Sequence, residues 1–310
     1  MPRVRDQTLD LRARSVNLTH RMVKSGHGNV GKGLGWGVFF TGFVPGLLQS
    51  QLGQKRRAVI AFASCTALFF AGWVIVGSRL FYWALLAADG GGGVNAMLAR
   101  FGLGLGVPLP ELLNLPANAI GSLLAWDDTP TGLRLWRMPR DFEHIGGWLT
   151  AASGMLAAFW SAAGHWDLRL RRDGGENAAA PIANPALCAA LSWLVPGLGH
   201  ARAGQRDKGV LLGLAVAAVF TLGLVVSGGH AVDRVNASVW WMGQNLFGGG
   251  SLFAALVTGP WPMIGEPTDL QLGIVLCTVA GLMNLVVMVD AFTVAERSVF
   301  PLPRRQEAVA

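Results

Sequence analysis

The amino-acid sequence predicts an all-helical protein that crosses a membrane several times, and three observations support this prediction. Of its 310 residues, 52% are hydrophobic and only 14% are charged, against roughly 25% charged in ordinary soluble domains. Four apolar segments approach the ~20 residues that a helix needs to cross a bilayer. Trp outnumbers Tyr by 12 to 1, and many Trp residues stand at the ends of apolar runs, which is typical of side chains at the membrane–water interface.

The predicted spans fall into a strong and a weak class. The four strong ones are Ala58–Ser78, Gly146–Gly164, Gly209–Gly228 and Leu270–Phe292. Two shorter segments, Leu34–Leu48 and Ala186–Gly199, are interrupted late by Pro-Gly. Because proline lacks the N–H of a helical hydrogen bond, such a segment frees backbone groups that must find partners inside the protein. We therefore expect these two segments to be broken or re-entrant.

Two further segments are too polar to be strong spans. Pro108–Trp126 contains Glu111, Asn114 and Asn118, and Ala237–Gly259 contains polar amides and a triple glycine. We expect both to be amphipathic segments at the membrane interface.

An internal repeat organises the chain. A shift of 151 positions superposes Val44–Phe62 on Val195–Gly213 without a gap. The repeated Pro-Gly turns are predicted to be structural, through Pro45, Gly46, Gly53 and Gln54 in the first and Pro196, Gly197, Gly199, Gly204 and Gln205 in the second. The predicted organisation is a basic tail (1–32), repeat one (33–168), a polar linker (169–184), repeat two (185–297) and a short tail (298–310).

The charge distribution indicates how the protein faces the membrane. The net charge is +7, and residues 1–32 alone carry seven Lys and Arg against two Asp. Such clusters favour the cytoplasmic side and anionic lipid rather than nucleic acid, so both termini are predicted to be cytoplasmic. Both turns are basic, which favours two spans per repeat in one orientation over three spans in inverted orientation. The basic residues expected to face lipid are Lys55, Arg56, Arg57, Arg206 and Lys208.

Four polar residues in or beside apolar runs are candidates for a site. Asp167 and Asp290 are carboxylates near the ends of spans, where an ionisable group is either functional or held at the interface. His200 and Gln49 follow the two Pro-Gly breaks. Either side chain could donate to carbonyls that the break releases, or take part in ligand binding or proton handling.

The sequence contains no recognised catalytic motif. Residues 26–32 imitate a phosphate-binding loop, but Gly33 stands where that loop needs Ser or Thr. Cys65, Cys188 and Cys277 lie far apart in apolar runs, so we expect neither a metal site nor a cofactor. We therefore predict a non-enzymatic assembly or scaffold protein that packs with other membrane proteins or with itself. The alternative is a pseudo-symmetric carrier or channel, and a membrane-embedded enzyme is the weakest option.

The second turn resembles a known pattern. A Pro-Gly-x-Gly run followed by Gly-Gln and Lys-Gly resembles the two-transmembrane-helix domain of bacterial membrane proteins and related families of unknown function. The matching residues are Pro196, Gly197, Gly199, Gly204, Gln205, Lys208 and Gly209. The first copy has Leu48 and Ala58 where the pattern has Gly. The resemblance implies a bacterial inner-membrane protein and carries no defined activity.

Overall fold

The structure is a computed structural model, and it describes residues 42–77, 80, 109–127, 142–173, 183–234, 237–258 and 269–300. Its regular elements within these ranges are all helices. In chain order they are α1 (Leu47–Gln51), α2 (Lys55–Val76), α3 (Leu109–Leu112), α4 (Leu115–Asp127), α5 (Glu143–Asp173), α6 (Pro185–Leu194), α7 (Leu198–Arg202), α8 (Arg206–Val226), α9 (Ser238–Gln244), α10 (Gly248–Val257) and α11 (Leu270–Arg297). The predicted tail at 1–32, most of the first broken segment and most of the C-terminal tail lie outside the described residues.

Three of these helices are long and apolar enough to cross a membrane, namely α2, α8 and α11. They cover nearly all of three of the four strong predicted spans. Only 28% of the most apolar window is buried in α2 and in α8, and 44% in α11, so most of their apolar side chains face outward. Val74 on α2, Leu211 on α8 and Val286 on α11 are about as exposed as surface residues of a soluble protein, at 70%, 73% and 68%. The protein is therefore a helical, multi-pass membrane protein.

The fourth strong predicted span, Gly146–Gly164, lies inside α5, which has 31 residues. This helix is long enough to cross a bilayer but is not among the three apolar candidates. The physical reason is its position, since Thr150, Ser153 and many of its glycines and alanines are buried against other helices. A helix surrounded by protein needs small residues for close packing more than it needs apolar side chains for lipid.

Glycines set the distances between the long helices. A Cβ at Gly72 of α2 would overlap the backbone of α5 at Gly146, and a Cβ at Gly223 of α8 would press on Cys277 and the carbonyl oxygen of Gly273 in α11. The backbones of each pair therefore approach as closely as small-residue helix contacts in membranes allow.

A second pair of glycines lets short helices pack on the other side. A Cβ at Gly154 of α5 would overlap the carbonyl oxygen of Pro110 in α3, and one at Gly281 of α11 would overlap that of Gly243 in α9. Gly154 follows Gly146 by eight residues, and Gly281 follows Gly273 by the same eight. The helices α5 and α11 thus use equivalent positions for equivalent contacts.

The second Pro-Gly segment is a broken helix, as its sequence predicts. The helix α6 begins after Asn184, whose Oδ1 accepts hydrogen bonds from the amides of Ala186 and Leu187, and it ends at Leu194. The chain is extended at Val195 and becomes helical again in α7.

Side chains hold α6 between α5 and α11. The Trp193 ring stacks on Trp148 of α5, with ring centroids 5.6 Å apart, and Asn284 Nδ2 of α11 donates to the carbonyl oxygen of Ser192 at 3.0 Å. The freed backbone at the break therefore lies against protein, as the absence of water in a bilayer requires.

The two polar segments differ from the expected interfacial helices. Each forms two short helices, α3 with α4 and α9 with α10. Asn114, Asn118, Gln244 and Asn245 are fully buried, because they point into the helix packing. Gln244 Nε2, for example, donates to the carbonyl oxygen of Ala231 at 2.9 Å. The helix α5 also continues to Asp173, so the first residues of the predicted linker 169–184 are helical.

Candidate functional site

The two Pro-Gly turns have the same backbone conformation. Their leading glycines, Gly46 and Gly197, have φ of 83° and 82°, and their closing glycines, Gly53 and Gly204, have φ of 76° and 89°. These are left-handed conformations that favour glycine. Six backbone hydrogen bonds of the first turn recur 151 positions later in the second, with lengths that agree within 0.3 Å.

Each turn ends in a Schellman motif. The amide of Gln54 donates to the carbonyl oxygen of Gln49 at 2.8 Å. In the second turn, the amide of Gln205 donates to the carbonyl oxygen of His200, also at 2.8 Å. This bond and the left-handed glycine before it satisfy carbonyls at the end of a helix. The same residues place Gln49 and His200 at equivalent positions, on the inner side of α1 and α7, where both are buried.

The leading glycines also allow a close backbone contact. A Cβ at Gly46 would overlap the carbonyl oxygen of Ala58, and a Cβ at Gly197 would overlap that of Gly209. Each turn is therefore pressed against the first turns of the helix that follows it. Glycine is needed at these two positions because a Cβ would not fit and because the backbone is left-handed.

Asp167 fastens the first turn to α5. Its Oδ2 accepts a hydrogen bond from Arg57 Nη1 at 2.5 Å and from Gln54 Nε2 at 3.1 Å. The side chain of Gln49 donates to the carbonyl oxygen of Trp160 at 2.6 Å, and Arg171 donates back to the carbonyl oxygen of Leu52 at 3.0 Å. The predicted site residues Asp167 and Gln49 thus belong to one anchor between the turn and α5.

Asp290 fastens the second turn to α11. Its Oδ2 lies 2.8 Å from His200 Nε2 and also forms an ion pair with Lys208. His200 is fully buried, whereas Asp290 is 39% exposed. Lys208 stands 151 positions after Arg57, so the two turns use equivalent cations to hold carboxylates of different helices.

The two anchors lie at the same end of the helices. Arg169, two residues after Asp167, forms an ion pair with Glu296, which lies six residues after Asp290. The C-terminal ends of α5 and α11 are therefore side by side, with one turn against each. Within the described residues, the four predicted candidates fall into two separate groups, since His200 contacts Asp290 while Asp167 contacts Gln54 and Arg57 of the first turn.

The exposed basic residues surround this end of the protein. Lys55, Arg56 and Arg206 are exposed at the starts of α2 and α8, and Arg57 and Lys208 are about half exposed beside their carboxylate partners. A concentrated positive charge at one end of a helix bundle attracts anionic headgroups.

A buried polar cluster at Glu111 was not predicted as a site. Glu111 on α3 is fully buried and lies 2.7 Å from Arg234 Nη1, whose side chain is 9% exposed. Thr150 donates to the same carboxylate at 2.8 Å and accepts from Arg234 at 2.7 Å. The Arg234 guanidinium also lies 4.9 Å from the centre of the Trp241 ring.

Burial is the largest influence on the pKa of the Glu111 carboxyl. Desolvation raises the pKa of the Glu111 carboxyl, and the charge of Arg234 is the largest influence that lowers it. Glu111 is an isolated charge in apolar surroundings in the sequence, which is the signal that could have marked it as a candidate. Arg234 directly follows Asp233 and carries no such signal. The separation of Glu111 and Arg234 by 123 positions hides their contact from any local pattern.

The described residues contain no group of three or more His, Cys, Asp or Glu side chains arranged to hold a metal ion. All three cysteines are free and buried.

An open groove of about 590 Å³ lies beside the second turn. It runs between the Pro196-Gly197 turn, the outer face of α8 and the start of α10. Its lining is almost entirely apolar, and small residues of α8, Gly209, Gly213 and Ala217, form its floor.

The second half of the chain matches one family model. Residues 187–300 match the model of a family of unknown function, DUF6677. The match begins in α6 and ends just after α11, so it includes the second turn, its anchor at Asp290 and the groove. No curated protein and no solved structure matches the chain.

The resemblance of the second turn implied a family without a defined activity, and the matched family is one of unknown function. The limits of the match fall close to those of predicted repeat two, 185–297.

Proposed function

We propose that this protein is a non-enzymatic membrane scaffold built from two tandem units in the same orientation. Each unit would contain a broken Pro-Gly segment, a span, two short helices and a returning helix. The observation that supports this most strongly is the pair of matched turns, each held by its own carboxylate at the same end of the bundle. An inverted repeat would put the turns at opposite ends.

Four helices would cross the bilayer in this arrangement. To α2, α8 and α11 we add α5, whose 31 residues give a length of roughly 46 Å at 1.5 Å per residue. That exceeds the ~30 Å hydrocarbon core. The ion pair between Arg169 and Glu296 supports a common end for the two returning helices.

The basic end would face the cytoplasm and its anionic lipid. The positive-inside tendency of Lys and Arg supports this orientation, and both termini would then be cytoplasmic. The resemblance of the second turn to bacterial membrane domains favours the bacterial inner membrane.

A scaffold role agrees with the use of the polar residues. Asp167, Asp290 and His200 are engaged in pairs that hold the turns in place, which leaves the carrier alternative without a shared polar site among the described residues. The outward faces, by contrast, are apolar and broad. Val59, Phe62 and Val74 on α2 are 67%, 44% and 70% exposed, and such faces can pack against other membrane helices.

The scaffold role can be tested by placing a photo-crosslinking amino acid on α2 in the full-length protein in cells. At Val59 or Val74 we expect a discrete adduct with another membrane protein or a second copy. The control is Phe69, which is fully buried on the same helix and should give no intermolecular adduct. Recovery of the protein only as an isolated monomer from both exposed positions would contradict the scaffold role.

A further inference from the structure

We propose that the groove beside the second turn is a binding site for one acyl chain of an anionic phospholipid. This proposal rests on the membrane orientation given above, in which the basic turns lie at a membrane surface. It adds a defined lipid site to that arrangement, and the residues that line this site all belong to the second half of the chain.

The groove lies on a surface that lipid reaches. Two lining residues of α8, Val210 and Leu214, are 60% and 67% exposed, and Phe253 of α10 is 57% exposed. Because α8 is a candidate span, the medium at this surface is the bilayer. A volume of about 590 Å³ lies within the roughly 300–1,000 Å³ of ordinary ligand sites.

The length of the groove suits a lipid chain. Its lining residues on α8 extend from Gly209 to Leu224, which spans roughly 22 Å at 1.5 Å per residue. One leaflet contributes about half of the ~30 Å hydrocarbon core. An acyl chain that enters at the turn can therefore lie in the groove along its full depth in the leaflet.

The first half of the chain differs from the second at the equivalent positions of α2. Large side chains stand there, since the 151-residue shift places Phe62 at Gly213 and Phe70 at Thr221. Phe70 also contacts the Trp73 ring, with centroids 6.2 Å apart. Small residues at the same spacing on α8 thus distinguish the second unit from the first.

The positive charge at the second turn favours a lipid with an anionic headgroup. Arg206 is the first residue of α8, is exposed, and makes no ion pair within the part of the chain that the structure describes. It stands three residues before Gly209, at the end of the groove where a headgroup would lie. The N-terminal end of α8 adds a partial positive charge of its own. Asp207, which is also exposed, follows Arg206 in this first turn. A lipid phosphate bound here would lie beside Arg206, and its acyl chain would lie in the apolar groove.

The test uses the full-length protein reconstituted in bilayers that contain a trace of phosphatidylglycerol with a photoreactive acyl chain. Crosslinked residues are mapped by mass spectrometry, with the phosphatidylcholine analogue in parallel. We expect phosphatidylglycerol adducts to concentrate on the lining residues of α8 and α10, and we expect fewer phosphatidylcholine adducts there. Equal labelling by both lipids, adducts spread evenly over the outer faces, or adducts with a second protein chain in the groove would overturn the proposal.

Matched variants sharpen the result. Thr221→Phe introduces the residue of the first unit and should reduce groove adducts at least about fivefold. Leu222→Phe adds the same ring at a neighbouring exposed position outside the groove lining and should leave them unchanged. Unchanged labelling in Thr221→Phe, with helix content and elution volume like the wild type, would refute the site.

The headgroup contact has its own control. Arg206→Gln should lower phosphatidylglycerol labelling about fivefold, since one basic residue near an anionic surface contributes roughly a factor of five. Lys55→Gln changes the equivalent residue of the first turn and should have no effect on groove adducts. If both variants behave alike, the headgroup assignment is wrong.

Different results would refute the lipid site and the proposed membrane arrangement. Loss of the lipid preference with both turns accessible from one side of the membrane refutes the groove alone. Turns accessible from opposite sides refute the arrangement itself.

Discussion

At the scale of single residues, Glu111 and Arg234 form a buried ion pair in which each charge depends on the other. Both side chains are buried, and they lie 2.7 Å apart at the junction of α3, α5 and the segment after α8. A buried ion pair adds little net stability over an apolar pair, but removal of one partner leaves a charge without compensation. The pair therefore specifies how these three elements meet.

The first prediction concerns this pair. Arg234→Met should reduce the free energy of unfolding by about 3–5 kcal/mol, because Glu111 is left buried without its cation. Adding Glu111→Gln should restore a large part of this loss, because it removes the buried carboxylate that lost its cation. Thermal unfolding in detergent measures both variants. A double variant no more stable than Arg234→Met would contradict the coupling.

The pair also predicts a dependence on pH. Burial already raises the pKa of the Glu111 carboxyl, and Arg234→Met removes the largest influence that opposes this shift, so the pKa lies still higher above its value in the unfolded chain. A carboxyl with a raised folded pKa contributes stability that is complete below its unfolded pKa and is lost as the pH rises through the folded pKa. The melting temperature of Arg234→Met should therefore fall as the pH is raised above the ordinary range of a carboxyl. The variant that also carries Glu111→Gln should lack this slope.

At the scale of elements, the Pro-Gly turns depend on glycine for two different reasons. Gly46 and Gly197 need both a left-handed backbone and space for the carbonyl oxygen of the following helix. Gly53 and Gly204 need only the left-handed backbone, since nothing lies within 4 Å of a Cβ there. The two kinds of glycine therefore act as controls for each other.

We expect Gly53→Ala and Gly204→Ala to lower the free energy of unfolding by about 1–2 kcal/mol, the strain of a left-handed residue with a Cβ. Gly46→Ala and Gly197→Ala should cost more, because an atom overlap is added to the same strain. Thermal unfolding of the four variants in one detergent gives the comparison. Equal losses at all four positions would refute the close approach of turn and helix.

The sequence predicts those elements whose signals are local and misses the contacts between distant residues. Apolar length located α2, α8 and α11, and the Pro-Gly repeat located both turns, because these signals are local. The pairs Arg57–Asp167 and Lys208–Asp290 required the fold, since each joins residues more than 80 positions apart. In the sequence, the equivalence of α5 and α11 shows in Asp167 and Asp290 near their ends and in the glycines at 146, 154, 273 and 281. The glycines are offset by 127, which a search at 151 misses because the segments between the spans differ in length.

At the scale of the whole molecule, both anchored turns lie at one end of the helices, and the exposed basic residues lie at that same end. The ion pair between Arg169 and Glu296 brings the returning helices together at the basic end. Burial of α5 in the interior explains its lower hydropathy, whereas α2 and α8 expose broad apolar faces. The described part of the protein thus presents broad apolar faces along its long helices and exposed basic residues at one end.

The most direct test of this account is the accessibility of cysteines introduced as Gln54→Cys and Arg206→Cys, each followed with a membrane-impermeant maleimide in sealed and permeabilised cells. The background is low, because Cys65, Cys188 and Cys277 are all buried. The account predicts that both positions react from the same side of the membrane, the cytoplasmic one. Reaction of the two positions from opposite sides would contradict it.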